Sequence, residues 1–239
     1  MTYLIPNASI PVAGGSMSAY VAMPRTQPLG TVLIAVELWG MTSHMQEIAE
    51  RLSAKGYAAV VLDLFRGQTP PLPDDPVETW AAVFEDFDDL RCTRDCRKAL
   101  EWALSGDCGF DSGRVFAWGF CMGGRFAHNL AAFDTRLAGA INFYGRVNFP
   151  RMATKPFLPI EVTRMIETPY LGLFAETDGL IPAEDVARLR RDLEENPRAE
   201  ISVLAGTEHA FFNDQHDAYH PEAAQEAWVK VQAFLEKHR

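Results

Sequence analysis

The chain has 239 residues, enough for one α/β domain with a covered central sheet, and that is simpler than two small domains of the same total length. Hydrophobic residues make up 48% and charged residues 23%, ordinary globular usage that points away from disorder, and no apolar run approaches the length that spans a bilayer. A formal charge of −10 argues against a nucleic-acid partner, because phosphate-tracking surfaces need clustered Lys and Arg. Residues 1–6 show no basic start followed by an apolar run, so no secretory leader is read and the cytoplasm is the expected compartment. The four cysteines, Cys92, Cys96, Cys108 and Cys121, are then expected to be reduced.

Along the chain, short apolar β-branched runs alternate with amphipathic stretches. This is the pattern of an α/β fold with a mainly parallel central sheet and helices on both faces. Residues 16–23 alternate weakly and are expected as an edge strand. The inner strands are expected at 31–36, 58–62, 115–118, 138–143, 170–174 and 201–204, each bounded by Gly, Pro or charged residues. Helices are expected at 43–55, 78–105, 123–133, 183–195 and 221–238. The first has Ser43 as N-cap with Gln46 three residues on, and Gly56 as its stop. Residues 65–76 and 145–168 are Pro-containing loops of the kind that shape a site. No repeat or linker interrupts residues 1–239, so a single domain is expected.

The chemistry concentrates after the strand at 115–118. Gly119-Phe120-Cys121-Met122-Gly123-Gly124 is G-x-C-x-G between a strand and a helix, the nucleophile-elbow pattern with Cys in place of Ser. The following helix directs its N-terminal partial charge at the sulfur, which favours thiolate. The competing reading of Cys121 is one more buried small residue. Asp178, in Glu176-Thr177-Asp178-Gly179, and His209, in Gly206-Thr207-Glu208-His209, each follow a later strand and complete the chain order nucleophile, acid, histidine. Asp178 could instead be only a turn former and His209 only a loop histidine. Glu176 competes with Asp178 for the acid role. An oxyanion would be met by the backbone N–H groups of Met122, after the nucleophile, and of Leu38, after an early strand. Glu37, next to a buried strand, is expected to have a task in the pocket, since a carboxylate there is costly unless paired or used.

These residues resemble the dienelactone hydrolase family. Glu37-Leu38-Trp39-Gly40, the Cys121 elbow, Asn142-Phe143-Tyr144-Gly145, Thr177-Asp178 and His209-Ala210-Phe211-Phe212-Asn213 match its motifs in order. The resemblance implies an α/β-hydrolase domain without metal or organic cofactor, a Cys121, His209, Asp178 triad, and a lactone or related ester as small-molecule substrate. It also implies a neutral Cys121 thiol turned away from His209 at rest, with Glu37 taking its proton when substrate binds. Family members acting on dienelactones carry an arginine four positions after the histidine, where this chain has Asn213. Losing that bidentate contact favours a broader carboxylesterase or thioesterase acting on neutral esters. A noncatalytic binding protein on the same fold is a third reading. Arg66 and Arg125 are candidate substitutes for the arginine, and Trp39 and Tyr144, with Trp80 and Phe84, for an aromatic wall. A monomer or small homo-oligomer is expected.

Cys92 and Cys96, and His216 and His220, are spaced four apart, but neither pair completes a metal set, and Pro221 disfavours a helix through His220. The acidic run 85–89 reads as a solvated face.

Overall fold

A computed structural model describes residues 2–111 and 113–239; Met1, the first residue of the stretch read for a leader, lies outside them. The apolar runs form the inner strands. β3 (Thr31–Ala35), β4 (Ala58–Leu62), β5 (Val115–Phe120), β6 (Gly139–Phe143) and β7 (Tyr170–Ala175) are buried at every residue, as strands covered on both faces must be. Together with β1 (Ala8–Val12), β2 (Gly15–Ala22) and β8 (Ala199–Leu204) they make one eight-stranded sheet in the order β1-β2-β4-β3-β5-β6-β7-β8. β1 and β2 are antiparallel to each other and β2 to β4, while every other pair is parallel. The expected edge strand is thus β2, but it is not the edge. β1 pairs outside it, with Pro11 opposite Ser16, and a proline inside the run is what hid this strand from its sequence pattern.

The covering helices are α1 (Ser43–Ala54), α2 (Val77–Asp86), α3 (Asp89–Ser105), α4 (Met122–Phe133), α5 (Pro159–Val162), α6 (Ala183–Asp192) and α7 (Pro221–His238). Gly56, at φ 91°, follows α1 as expected. Its N-cap, however, is Thr42, because the Ser43 hydroxyl bonds the Gln215 side chain instead. Residues 78–105, expected as one helix, break between α2 and α3. Phe87 turns inward against Phe65, and the Asp88 carboxylate caps α3 by accepting from the Arg91 N–H at 2.9 Å. The Lys155 ammonium, fully buried, donates to the carbonyls of Glu85 and Phe87 at 3.1 Å, satisfying backbone oxygens that the end of α2 leaves open. No residue of α2 is buried.

Asp89 departs from the solvated face expected of residues 85–89. It is 2% exposed and accepts from Arg125 at 2.8 Å, while the guanidinium lies 4.7 Å from the Phe84 ring centroid and 4.9 Å from that of Phe126. A second buried polar group lies under α4. His128 is held by the Tyr170 hydroxyl at 2.9 Å and the Pro159 carbonyl at 3.0 Å, and Tyr170 in turn accepts from Asn142. Among the described residues no helix is long and apolar enough to cross a membrane, and all four cysteines are free thiols. Burial pushes the Cys92 thiol up to about 12 and Cys96 well above its ordinary value, which suits idle core thiols.

Burial holds the His128 imidazole neutral, with its pKa lowered to about 4. The unfolded chain binds a proton near pH 6.5 and the folded chain does not, so stability falls on acidification between these values. Urea denaturation at pH 7 and at about pH 4 is expected to show a loss of roughly 3 kcal/mol from this group, and His128→Gln to make the decline shallower.

Candidate active site

Where β5 ends, the chain turns sharply at Cys121 and enters α4. Cys121 has φ 49° and ψ −114°, a conformation that side-chain-bearing residues rarely adopt. Two backbone bonds hold the turn: Cys121 N–H to the Phe143 carbonyl at 3.0 Å, and Gly124 N–H to the Cys121 carbonyl at 3.1 Å. The glycines are required by contact. A Cβ on Gly123 would sit 2.1 Å from the Ala35 carbonyl oxygen, and one on Gly119 would sit 2.1 Å from that of Gly123. The helix N-terminus, with the Met122 N–H free of any intrahelical acceptor, therefore points at the thiol. After β3, Gly40 N–H closes a turn onto the Glu37 carbonyl at 3.0 Å, with Leu38 at its second position.

The acid and the histidine come from the loops after β7 and β8. His209 Nδ1 lies 2.7 Å from Asp178 Oδ2, and the other Asp178 oxygen accepts from the N–H groups of Leu180 and Ile181 at 2.8 and 3.2 Å. Glu176 is engaged elsewhere, accepting from the Gly206 N–H at 2.8 Å. Nε2 of His209 is buried and makes no well-formed hydrogen bond. Burial works against the imidazolium, but the negative charges of Cys121 and Asp178 and their hydrogen bonding outweigh it, and the His209 pKa rises to about 10. Cys121 is thus among the groups that act on His209, while no hydrogen bond joins the thiol to Nε2 among the described residues.

Glu37 is 2% exposed. Its carboxylate accepts from the Tyr144 hydroxyl at 3.2 Å and from the Asn213 side-chain amide at 2.7 Å. Tyr144 sits at the end of β6 with φ 40°, its ring centroid 5.2 Å from that of His209. Burial first, then the charges of Glu37 and Cys121, push its phenol well above the ordinary value. Asn213 as partner of Glu37 was not foreseen from the sequence. The available signal was a lone amide directly after Phe211 and Phe212, two large apolar residues that draw it inward.

The other expected residues divide. Trp39 meets Trp80 edge to face at 5.2 Å, so these two aromatics stand together beside the Leu38 turn. Arg66 is tied to both oxygens of Asp95 and to the Ala13 carbonyl, and Arg125, 1% exposed, gives one nitrogen to Asp89 and is closed off by its burial. Phe84 packs on Phe149 and lies against Arg125. His220 caps α7 through its ring nitrogen, outside the helix, and shares no helical face with His216.

A sequence model of the dienelactone hydrolase family matches residues 17–239. The chain belongs to that family. It is a hydrolase with the α/β-hydrolase fold. It is 30% identical over 234 residues to an Escherichia coli K12 protein named "Putative carboxymethylenebutenolidase", covering 96% of this chain and 86% of that one. A Bradyrhizobium protein named "Probable 2-oxo-3-(5-oxofuran-2-ylidene)propanoate lactonase" is 27% identical over 228 residues, covering 94% and 91%. Among solved structures, one described as a "Putative Dienelactone Hydrolase" from Klebsiella pneumoniae superposes with a TM-score of 0.88 at 30% identity, covering 95% of this chain and 96% of that one.

The contact at Gly123 is between backbones and cannot be relieved by a rotamer. Gly123→Ala is expected to cost about 3 kcal/mol or more in urea denaturation, and Gly179→Ala, where a Cβ meets nothing within 4 Å, far less.

Proposed function

We propose that this hydrolase opens a lactone or small carboxylic ester with Cys121 as nucleophile, His209 as acid and base, and Asp178 as the orienting acid. The observation that carries this is the convergence of three loops: the thiol in a left-handed turn at the start of α4, and a histidine oriented by a 2.7 Å contact to a buried carboxylate. The Bradyrhizobium relative, named for a lactone substrate, supports the same class.

In this mechanism the Cys121 proton passes to Glu37, and the sulfur adds to the substrate carbonyl. The oxyanion is met by the N–H groups of Leu38 and Met122, which are preorganised donors. Collapse breaks the carbon–oxygen bond, leaving a thioester on Cys121 and an alkoxide or enolate that takes the proton of the His209 imidazolium. The neutral His209 so formed then deprotonates water, which adds to the thioester and releases the acid, and the departing sulfur recovers its proton from Glu37. Nothing in these steps calls for a metal or organic cofactor. Trp39 and Trp80 offer an apolar wall to the acyl or alcohol portion.

A second reading, preference for neutral esters, is favoured by Asn213, because the position after the histidine motif holds an amide already bonded to Glu37.

Cys121→Ala is expected to lower kcat/KM for p-nitrophenyl acetate and for a five-membered enol lactone by about a thousandfold or more, with the melting transition retained. Hydrolysis at the parent rate in that variant would exclude the cysteine route.

A further inference from the structure

We infer that Asn213 is a positioning residue which, together with Tyr144, holds Glu37 as a fixed charged acceptor near Cys121, and that the pocket so formed selects uncharged esters and lactones. This rests on Cys121 being the nucleophile.

The direction of the Asn213 amide follows from its other bond. Its Oδ1 accepts from the Gln215 N–H at 3.0 Å, so the NH2 group is the end presented to Glu37. An NH2 group only donates, so the Glu37 oxygen facing it must accept. Tyr144 reaches the other oxygen from the end of β6. The two donors bond different oxygens of the carboxylate, and both are buried. They leave lone pairs on each oxygen for a proton delivered from the thiol, since a carboxylate offers about four acceptor sites. Glu37 is therefore held in place by two donors that carry no charge.

A buried carboxylate is more often met by a guanidinium, and here the candidate arginines are committed to Asp95 and Asp89. Tyr144, directly after β6, bonds Glu37 and is the titratable group in contact with it; Cys121 from the elbow, His209 from the loop after β8 and Asp178 from the loop after β7 lie about Tyr144. The charges that raise the Tyr144 phenol include those of the Glu37 and Asp178 carboxylates. The cation among these groups, His209, is bonded to Asp178. A substrate carboxylate would enter beside the Glu37 and Asp178 carboxylates with neither candidate arginine, Arg66 or Arg125, to receive it, whereas a neutral carbonyl meets no such repulsion.

The test is the pH dependence of kcat/KM between about pH 5 and 9, measured for p-nitrophenyl acetate and for its monoanionic counterpart, p-nitrophenyl hemisuccinate. The variants are Asn213→Asp, Tyr144→Phe, Glu37→Gln and Cys121→Ala. Asn213→Asp sets a second carboxylate against Glu37, so the acidic limb of the profile should move up by about one pH unit or more. Tyr144→Phe removes one donor, keeps the ring, and should move the limb in the same direction by less. Glu37→Gln should abolish that limb. The parent should prefer the neutral ester by about tenfold or more.

Uniformly scaled rates with unmoved limbs in both donor variants, or a limb that persists in Glu37→Gln, would overturn the positioning role. Equal or better turnover of the hemisuccinate by the parent would overturn the substrate selection. Activity surviving in Cys121→Ala would instead remove the nucleophile assignment underneath. Should Asn213→Asp fail to melt cooperatively, Tyr144→Phe decides the limb shift by itself.

Discussion

Backbone touches backbone where α4 leaves β5, and the architecture of the site depends on that contact. Gly123 lies against the Ala35 carbonyl of β3, and Gly124 lies against Gly145 and the Asn142 side chain at the end of β6. No side chain fits between these segments. The helix is therefore seated over three adjacent strands, β3, β5 and β6, and the residue at the turn is forced to positive φ. One close approach thus aims the helix N-terminus, exposes Cys121 at the carboxyl end of the sheet, and sets its distance from the loops after β3, β7 and β8. The polar chain below, from Gly145 through Asn142 and Tyr170 to His128, fills the same junction with satisfied hydrogen bonds.

The protein buries carboxylates in two different ways. Asp89 is paired with Arg125 among aromatic rings, an arrangement in which removing either partner strands a charge. Glu37 is held by a phenol and an amide, both neutral. The first joins the start of α3 to α4 and is closed to substrate by Phe84. The second takes one neutral donor on each oxygen. The family resemblance pointed to arginine as the main question about substrate, and in the folded chain both candidate arginines face aspartates.

Much of this was legible in residue order. The inner strands read correctly because burial on both faces removes polar positions altogether, and the elbow read correctly because glycines on both sides of a Cys between strand and helix have few other uses. β1 did not, since Pro11 resembles an interruption, although an edge strand tolerates it. The break at Phe87 and Asp88 was hidden because α2 and α3 have helical periodicity on both sides of it. Only the inward packing of Phe87 and the cap at Asp88 separate them.

The sequence by itself determined the α/β architecture, the elbow at Cys121, and the order in which an acid and a histidine follow it, because these depend on local periodicity and on turn chemistry within a few residues. Only the tertiary structure decided that Asp178 and not Glu176 meets His209, that Arg66 and Arg125 are spent on aspartates, and that Asn213 reaches Glu37 across 176 positions of chain. Such contacts depend on which strand lies beside which, and on where each loop crosses the sheet edge. Neither is encoded in the spacing of any single segment.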